Sequence, residues 1–576
     1  MPGAAGWRGA AAIRAPARWA VAASAIGAVL VGLLTVSVFF GPGILPPWHT
    51  GWMLSGNIGP DPVQYWLGWT FFRDTPWSWP PGLNPGWGME LSSSIFLADS
   101  IPLLAFVFKA LREVVAVPQY WGLWIYACAA LQGFMAWRIL GLATADPLAR
   151  VAGAALFVLQ VPMLARMGGH FALSAHFLLL IGLWLCLTQA APARRLAQWA
   201  ALFGATALIH SYFLPMVGAL WLADLLARAA DPARRAPGWL AAEFVLAPGT
   251  GIAGLWLAGF FMLSGSFGGS WGGYGLMQLD LLAPFDAGSW GLLLPDLPGA
   301  DHLEAGRSYL GLGALLLLAI GAIARLQRPA PVLRRHWALI AACLGLTALA
   351  VTHRVSIGGV VFELFALPPD LLRYADALRA SERFVWPVFY ALLIAAVFAV
   401  VRGMGGRRAG FVLLLLALVQ AADLRAGVQW LRPYFPPTEA TVPLRLSDPF
   451  WAEAAQRYDA IRIVPNANQA HWWEEVAVYA ATLGLSTDAV YLARLDDRRV
   501  AALNAEMARR LAEGDFEPGT LYVLADAGAI SLARASADPA RDLIGSFNGL
   551  TVLAPGWFAG AARSRAPGAS SGERFR

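Results

Sequence analysis

The sequence predicts a mainly α-helical, polytopic membrane protein with a soluble α/β domain at its C-terminal end. Three observations carry that reading. Of 576 residues, 58% are hydrophobic and only 14% are charged, against about 45–50% and about 25% in soluble domains. Long apolar runs recur through the first 430 residues. From Glu439 onward the charge content returns to the soluble norm, with 14 basic and 17 acidic residues.

The apolar runs lie near 19–41, 120–141, 151–166, 172–189, 197–211, 212–228, 239–263, 307–324, 337–352, 385–401 and 409–427, which makes about eleven transmembrane helices. The first follows Arg8, Arg14 and Arg18. It matches the about 20 residues that span a bilayer better than the about 7–15 of a secretory signal. We read it as a retained helix, with a cleaved signal as the alternative. With the N-terminus cytoplasmic, the inside loops carry Arg138/Arg150, Arg194/Arg195, Arg228/Arg234/Arg235, Arg325/Arg328/Arg334/Arg335 and Arg402/Arg407/Arg408. All are short, as the positive-inside rule requires. The net charge of +6 therefore reports topology, and no nucleic-acid partner is expected. The three cysteines sit in apolar runs, which argues against a disulfide framework or thiolate metal site.

The long segments fall on the other face: residues 42–119, 264–306, 353–384 and everything after about 430. Residues 1–430 form the membrane domain, 431–560 an extracytoplasmic α/β domain and 561–576 a disordered tail. In the soluble part, Ile461–Val464, Leu521–Leu524 and Leu550–Leu553 are β-rich, Arg498–Glu513 is helical and Gly514 is a helix stop.

The first outer loop concentrates the signal. Seven of 26 tryptophans lie within residues 42–98, and interfacial aromatics favour the headgroup level. Two amphipathic stretches, Pro62–Phe72 and Asp99–Leu111, are expected to lie on the membrane surface. Asp61, between Pro60 and Pro62, sits where a helix N-cap belongs. An ordinary cap is one reading. The other is a carboxylate at the lipid–water boundary that deprotonates an acceptor or binds a divalent metal.

An acidic residue soon after the first span, then Tyr65-Trp66-Leu67, Leu83-Asn84-Pro85 and Ser100-Ile101-Pro102-Leu103-Leu104, resembles the glycosyltransferase C superfamily. These are polytopic transferases that use polyprenyl-phosphate sugars. The order is similar to the protein mannosyltransferase and aminoarabinose transferase branch. More closely the chain resembles an uncharacterised bacterial membrane family related to that branch. That likeness covers most of the chain, including Gly169-His170…His176, Ile209-His210, Arg379-Ala380-Ser381…Arg383-Phe384 and Ala493-Arg494-Leu495-Asp496. The resemblance implies Asp61 as the catalytic carboxylate. The branch's Lys-Pro-Pro-Leu element, which contacts lipid phosphate, is matched by Asp99-Ser100-Ile101-Pro102-Leu103, without the lysine. Lys109 follows on the same stretch, with Arg73 and Arg112 nearby. Position 62 is proline where the branch has a second acidic residue.

Other candidates come from chemistry and position. Asp99 stands inside an apolar stretch, where a carboxylate is costly without a use; Asp74 and Glu90 read as solvated loop charges or caps. His170, His176 and His210 fall at outer ends of spans and suit hydrogen bonds to phosphate or sugar, with satisfied packing as the alternative. His170 and His176 are six apart, which does not match the i,i+4 spacing of paired ligands on one helical face. Arg379 and Arg383, four apart, suit a phosphate or pyrophosphate, or else snorkel at the surface. The glycine-rich segment 264–306, with Trp271, Tyr274, Trp290, Asp280 and Asp286, is either a carbohydrate platform or a flexible loop. No P-loop, nucleophile elbow, dinucleotide or zinc-protease motif occurs.

The resemblance implies an inverting membrane glycosyltransferase of a bacterial inner membrane, acting in cell-envelope glycan assembly. Its partners would be a polyprenyl-phosphate sugar donor, a glycan, lipid or protein acceptor, and membrane lipids. A divalent metal is optional. The alternative is a non-enzymatic transporter or assembly factor for lipid-linked glycan, which would need charges at the membrane midplane.

Overall fold

The computed structural model describes residues 18–91, 93–262, 273–297, 299, 307–328, 332–436 and 444–559. The chain is mainly helical. Among the described residues, six helices are long and apolar enough to cross a membrane: Trp19–Phe39, Trp121–Leu140, Phe213–Ala230, Pro237–Leu257, Ser381–Met404 and Gly406–Tyr434. A seventh span forms if Pro147–Val158 and Val161–Met167, bent by 57°, count as one. The expected count of about eleven exceeds this because four apolar runs fold into helices that fall short. Phe171–Leu187, Leu312–Gln327 and Trp337–Val351 are shorter apolar helices, and Pro192–Ile209 opens on Arg194 and Arg195.

Small residues let these helices approach closely. A Cβ on Gly32 would lie 2.3 Å from the Ala129 carbonyl oxygen, and one on Gly133 would lie 2.3 Å from that of Ala28. The first span and Trp121–Leu140 thus cross backbone to backbone, the contact that replaces hydrophobic driving force within lipid. Helix Pro147–Val158 starts on Asp146, whose carboxylate accepts from the Ala149 N–H at 2.9 Å, with Pro147 in the first turn. The bend that follows coincides with Pro162, which lacks the N–H needed to continue the first helix's ladder.

The first outer loop corrects one expectation. Helix Asp61–Asp74 forms where expected, yet every residue from Pro62 to Phe72 is buried. It is an internal strut, covered by the rest of its own loop and by the soluble domain. Gly68 faces Ala98 and Ser100 so closely that a Cβ would lie 2.3 Å from the Ala98 methyl. Asn84 Nδ2 donates to Gly68 O at 2.9 Å, and Trp69 Nε1 donates to Val117 O at 2.8 Å. Helix Pro102–Ala110 keeps Val107 exposed and so retains a free apolar side.

The glycine-rich loop is a packing element in its described part. Trp290 is buried, lies over Gly427 and stacks on Phe39 at 6.2 Å. Asp280 accepts from Ser356 Oγ at 2.6 Å and from the N–H groups of Leu282, Gly358 and Gly359. That ties the loop to the hairpin β1 (Arg354–Ile357) and β2 (Val360–Glu363). Asp286 likewise accepts from Gly288 and Leu297. These bonds occupy the groups expected to form a sugar platform. Trp271 and the tail 561–576 lie outside the described residues.

The C-terminal region builds a five-stranded mixed sheet from β3 (Ala460–Val464), β4 (Ser486–Thr487), β5 (Thr520–Leu524), β6 (Leu543–Phe547) and β7 (Leu550–Ala554). The order is β4-β3-β5-β7-β6, with β4, β3 and β5 parallel and the rest antiparallel. Helix Asp497–Glu513 ends on Gly514 in the left-handed region, as the sequence implies. Strands β3 and β5 are buried along their whole length.

This domain is docked on the first outer loop. Gly88 N–H donates to Thr487 O at 2.8 Å, and Thr487 N–H donates to Gly86 O at 3.1 Å. Trp87, fully buried, donates from Nε1 to Ala489 O at 3.1 Å. Arg462, buried on β3, reaches Glu90 through two bonds of 2.7 and 2.9 Å, Glu517 at 2.8 Å and Asp488 at 3.3 Å. Glu90 is thus an inter-domain partner rather than a solvated loop charge. Arg462→Ala strands the buried Asp488 carboxylate, which costs about 3–5 kcal/mol when one partner of a buried pair is removed. Limited proteolysis of membranes should then release the soluble domain from R462A while the parent resists.

Candidate functional site

The candidate site lies where the start of helix Asp61–Asp74 meets the ends of three other apolar helical elements and one loop of the C-terminal region. Asp61 is the first helical residue, with Pro60 in the cap position, and its side chain makes no cap bond. The carboxylate is turned instead toward His170, whose Nδ1 stands 3.0 Å from Oδ2. His170 is delivered by the Gly168-Gly169 turn that ends Val161–Met167. Tyr65, one turn along the helix from Asp61, places its hydroxyl 3.3 Å from the same nitrogen. The Tyr491 hydroxyl of the C-terminal domain also lies close enough to Asp61 to stabilise its charge.

Burial by itself pushes the Asp61 carboxyl up. The His170 contact, the Tyr491 hydroxyl and the Arg383 charge outweigh it and hold the group below the usual range. Asp61 is therefore ionised at neutral pH while its side chain keeps 21% exposure. Burial pushes His170 down against the pull of Asp61, so a neutral ring with its proton on Nδ1 orients the carboxylate.

Asp99 is held by a strained turn. It has φ +53°, and Ile101 two residues on has φ +51°; such left-handed positions cost of order 1–3 kcal/mol each for non-glycine residues. Leu97 O, just before it, accepts from Ala493 N–H of the soluble domain at 2.9 Å. Burial, then the Asp61 charge, pushes the Asp99 carboxyl up to about 7, with Arg383 opposing. His210, at the end of helix Pro192–Ile209, accepts from the Tyr212 N–H at Nδ1, 3.1 Å. A neutral ring so bonded carries its proton on Nε2, which faces Asp99 Oδ1 at 3.6 Å.

Three arginines complete the cluster. Arg383, in the turn Ser381–Val385, lies over the Tyr212 ring at 4.9 Å, and its charge is felt at Asp61, Asp99, Tyr65, His170 and His210. Arg379 acts on Arg383, Tyr491 and Arg494. Arg494 donates from Nη2 to Ala377 O at 3.2 Å. Two carboxylates of opposite protonation tendency thus stand beside the Arg383 guanidinium, with Arg379 near Arg383 and Arg494, an arrangement suited to anion binding next to an acid–base pair.

The structure brings together Asp61, Asp99, His170, His210, Arg379 and Arg383 out of the residues expected from sequence. It does not bring in the others. Lys109 and Arg73 lie at the far end of helix Asp61–Asp74, and 14 residues span roughly 20 Å. Lys109 Nζ bonds Thr75 Oγ1 and Pro76 O and sits 3.8 Å over the Phe72 ring; Arg73 pairs with Asp74. Both stiffen the loop there. His176 is fully buried against Trp386, with Nδ1 on the Tyr390 hydroxyl at 2.9 Å, so it packs the bundle. Among the described residues, no three His, Cys, Asp or Glu side chains form a metal-binding group.

Sequence reasoning missed Tyr65, Tyr491 and Arg494 as site residues. Tyr65 stood in a quoted motif without a role. Tyr491 and Arg494 lie more than 300 residues beyond Asp61 and Asp99 in the chain, and only docking of the C-terminal domain carries them to Asp61.

The family comparison covers both parts of this site. A model described as a domain of unknown function, DUF6311, matches residues 29–425, and one described as the DUF6311 C-terminal domain matches residues 450–555. No curated protein matches the chain. The first segment holds Asp61, Asp99, His170, His210, Arg379 and Arg383, and the second holds Tyr491 and Arg494. With more than half of its length matched by the first model and its soluble domain by the second, the chain belongs to the DUF6311 family.

Proposed function

We propose that the chain is an integral membrane glycosyltransferase that moves a sugar from a polyprenyl-phosphate donor to an acceptor on the outer face of a bacterial inner membrane. In this reading the apolar helices make about eleven crossings, the N-terminus is cytoplasmic and the soluble domain is extracytoplasmic. The observation that carries the reading is the ionised Asp61, fixed by His170 at 3.0 Å and set beside the Arg379–Arg383–Arg494 group.

The chemistry assigns each group a task. The acceptor hydroxyl oxygen bonds to the anomeric carbon as the bond from that carbon to the donor phosphate oxygen breaks. The electron pair leaves with the phosphate, whose charge the arginines hold, and the hydroxyl proton passes to Asp61. Single displacement inverts the anomeric centre. Asp99, near its midpoint of protonation at neutral pH, hydrogen-bonds polar groups of the sugar or acceptor, with Tyr65 and His210 fixing its position. No step requires a metal. The buried ionic groups Asp224, Arg228 and Glu243 lie near the opposite helix ends. They do not supply the midplane charges that a transporter reading would use.

Positioned acid–base groups contribute about 10²–10⁴-fold. Asp61→Asn should therefore lower transfer from a polyprenyl-phosphate sugar in membranes by that factor at normal protein level; undiminished transfer would overturn the assignment. Failure of the parent itself to use any lipid-linked sugar, with altered glycan export instead, would favour the transporter.

Asp99 gives an independent prediction. Its folded pKa stands above its unfolded value, so the folded state loses stability as pH rises from about 4 through about 7. An uncharged amide escapes that loss. Asp99→Asn should melt above the parent at pH 8, with the gap closing as pH falls toward 4, as followed by thermal unfolding in detergent. A gap independent of pH would contradict the raised Asp99 pKa.

A further inference from the structure

At the end of the bundle remote from Asp61, a cavity of about 260 Å³ opens between the turn that follows Leu187 and the turn between helices Phe213–Ala230 and Pro237–Leu257. Helix Pro192–Ile209 runs from this cavity to His210, so the two sites are separated by roughly 27 Å for 18 residues. Four arginines line it: Arg195, Arg228, Arg234 and Arg235.

The floor is rigid. Arg228 donates to Asp224 at 3.1 Å and to Glu243 at 2.5 Å, while Trp199 and Trp221 donate to the same two carboxylates at 2.9 and 3.1 Å. Arg195 lies 3.7 Å from Asp224 and donates to Leu185 O and Thr188 O. At the mouth, Arg234 bonds Asp231 and Ala227 O, and Arg235 bonds Ala229 O through Nε. These bonds leave the Nη1 edges of Arg228, Arg234 and Arg235 unengaged by them.

Charge is not balanced here. Four guanidiniums meet three carboxylates: Asp224, Glu243 and Asp231. In addition, the first turns of two long helices, Pro192–Ile209 and Pro237–Leu257, line the cavity, and neither has a side-chain cap. Each uncapped N-terminus acts as roughly half a positive charge and presents N–H donors. Trp239, 47% exposed, stands at the rim as an interfacial tryptophan does at the headgroup level.

We propose that this cavity is a binding site for a phosphate group, as borne by an anionic phospholipid headgroup, at the arginine-rich end of the bundle. The volume of about 260 Å³ far exceeds the about 10–15 Å³ that one water needs, which leaves room for a phosphate group. Basic pockets between helices on the cytoplasmic side commonly hold anionic lipid heads. The site does not depend on the proposed transfer reaction.

The test uses the full chain purified in detergent, with retained lipid read by native mass spectrometry after exchange into phosphatidylglycerol, phosphatidic acid or phosphatidylcholine. Retention of the anionic lipids over phosphatidylcholine, reduced at least tenfold in the Arg234→Ala/Arg235→Ala variant, is the expected result. Arg235→Glu, at an exposed side chain, should show the same loss if the double variant folds poorly. Protection against thermal unfolding by millimolar inorganic phosphate, lost in those variants and without selective lipid retention, would uphold the site and assign it a soluble phosphate. Equal retention of all three lipids with no phosphate effect would overturn it. So would an equal loss in Arg407→Ala/Arg408→Ala, in the first turn of helix Gly406–Asp423, because it would mean diffuse surface charge.

Discussion

Arg462 is the residue on which the two halves of the protein converge. Its guanidinium is taken out of water beneath β3 and meets Asp488 from its own domain and Glu90 from the first outer loop, with Glu517 on the remaining edge. A buried guanidinium without such partners is prohibitively costly. The partners exist together only when the soluble domain is seated. Seating it aligns Thr487 with Gly86 and Gly88 and buries Trp87. The same loop that runs on from Thr487 then carries Ala493 to Leu97 and Tyr491 to Asp61.

That chain of contacts explains why the carboxylates differ. Asp61 and Asp99 share one neighbourhood and one burial penalty. Asp61 receives His170 and Tyr491, which stabilise its charge; Asp99 faces the negative field of Asp61. Two equal side chains thus acquire unequal proton affinity from their surroundings, which is how a single site runs acid and base chemistry together. The strained backbone at Asp99 and Ile101 sits where packing from both domains can sustain it.

The bundle carries opposite electrostatics at its two ends. Around Asp61 the carboxylates and arginines are poised against one another. At the other end, arginines exceed carboxylates and two helix N-termini add to the excess. The same helix, Pro192–Ile209, contributes His210 to the first and Arg195 to the second. Its rigidity sets the distance between them.

The amino-acid sequence alone determined the elements that depend on local composition. The apolar runs all became helices, strands β3, β5 and β7 formed within a residue of where β-rich runs stand, and Gly514 ended its helix. Asp61 was legible from its place between Pro60 and Pro62, Asp99 from standing inside an apolar stretch, and His170, His210, Arg379 and Arg383 from falling at or near the ends of apolar runs. How many helices can cross a membrane was less legible, because a bend near Pro162 divides one apolar run and arginines in a first turn lower the hydropathy of another. Tertiary structure decided the rest. It buried helix Asp61–Asp74, sent Lys109 and Arg73 to its far end, packed His176 against Trp386 and brought Tyr491 and Arg494 to the site. The reason is physical: local propensity acts over a few residues, whereas burial and charge pairing act between groups that only the folded chain makes neighbours.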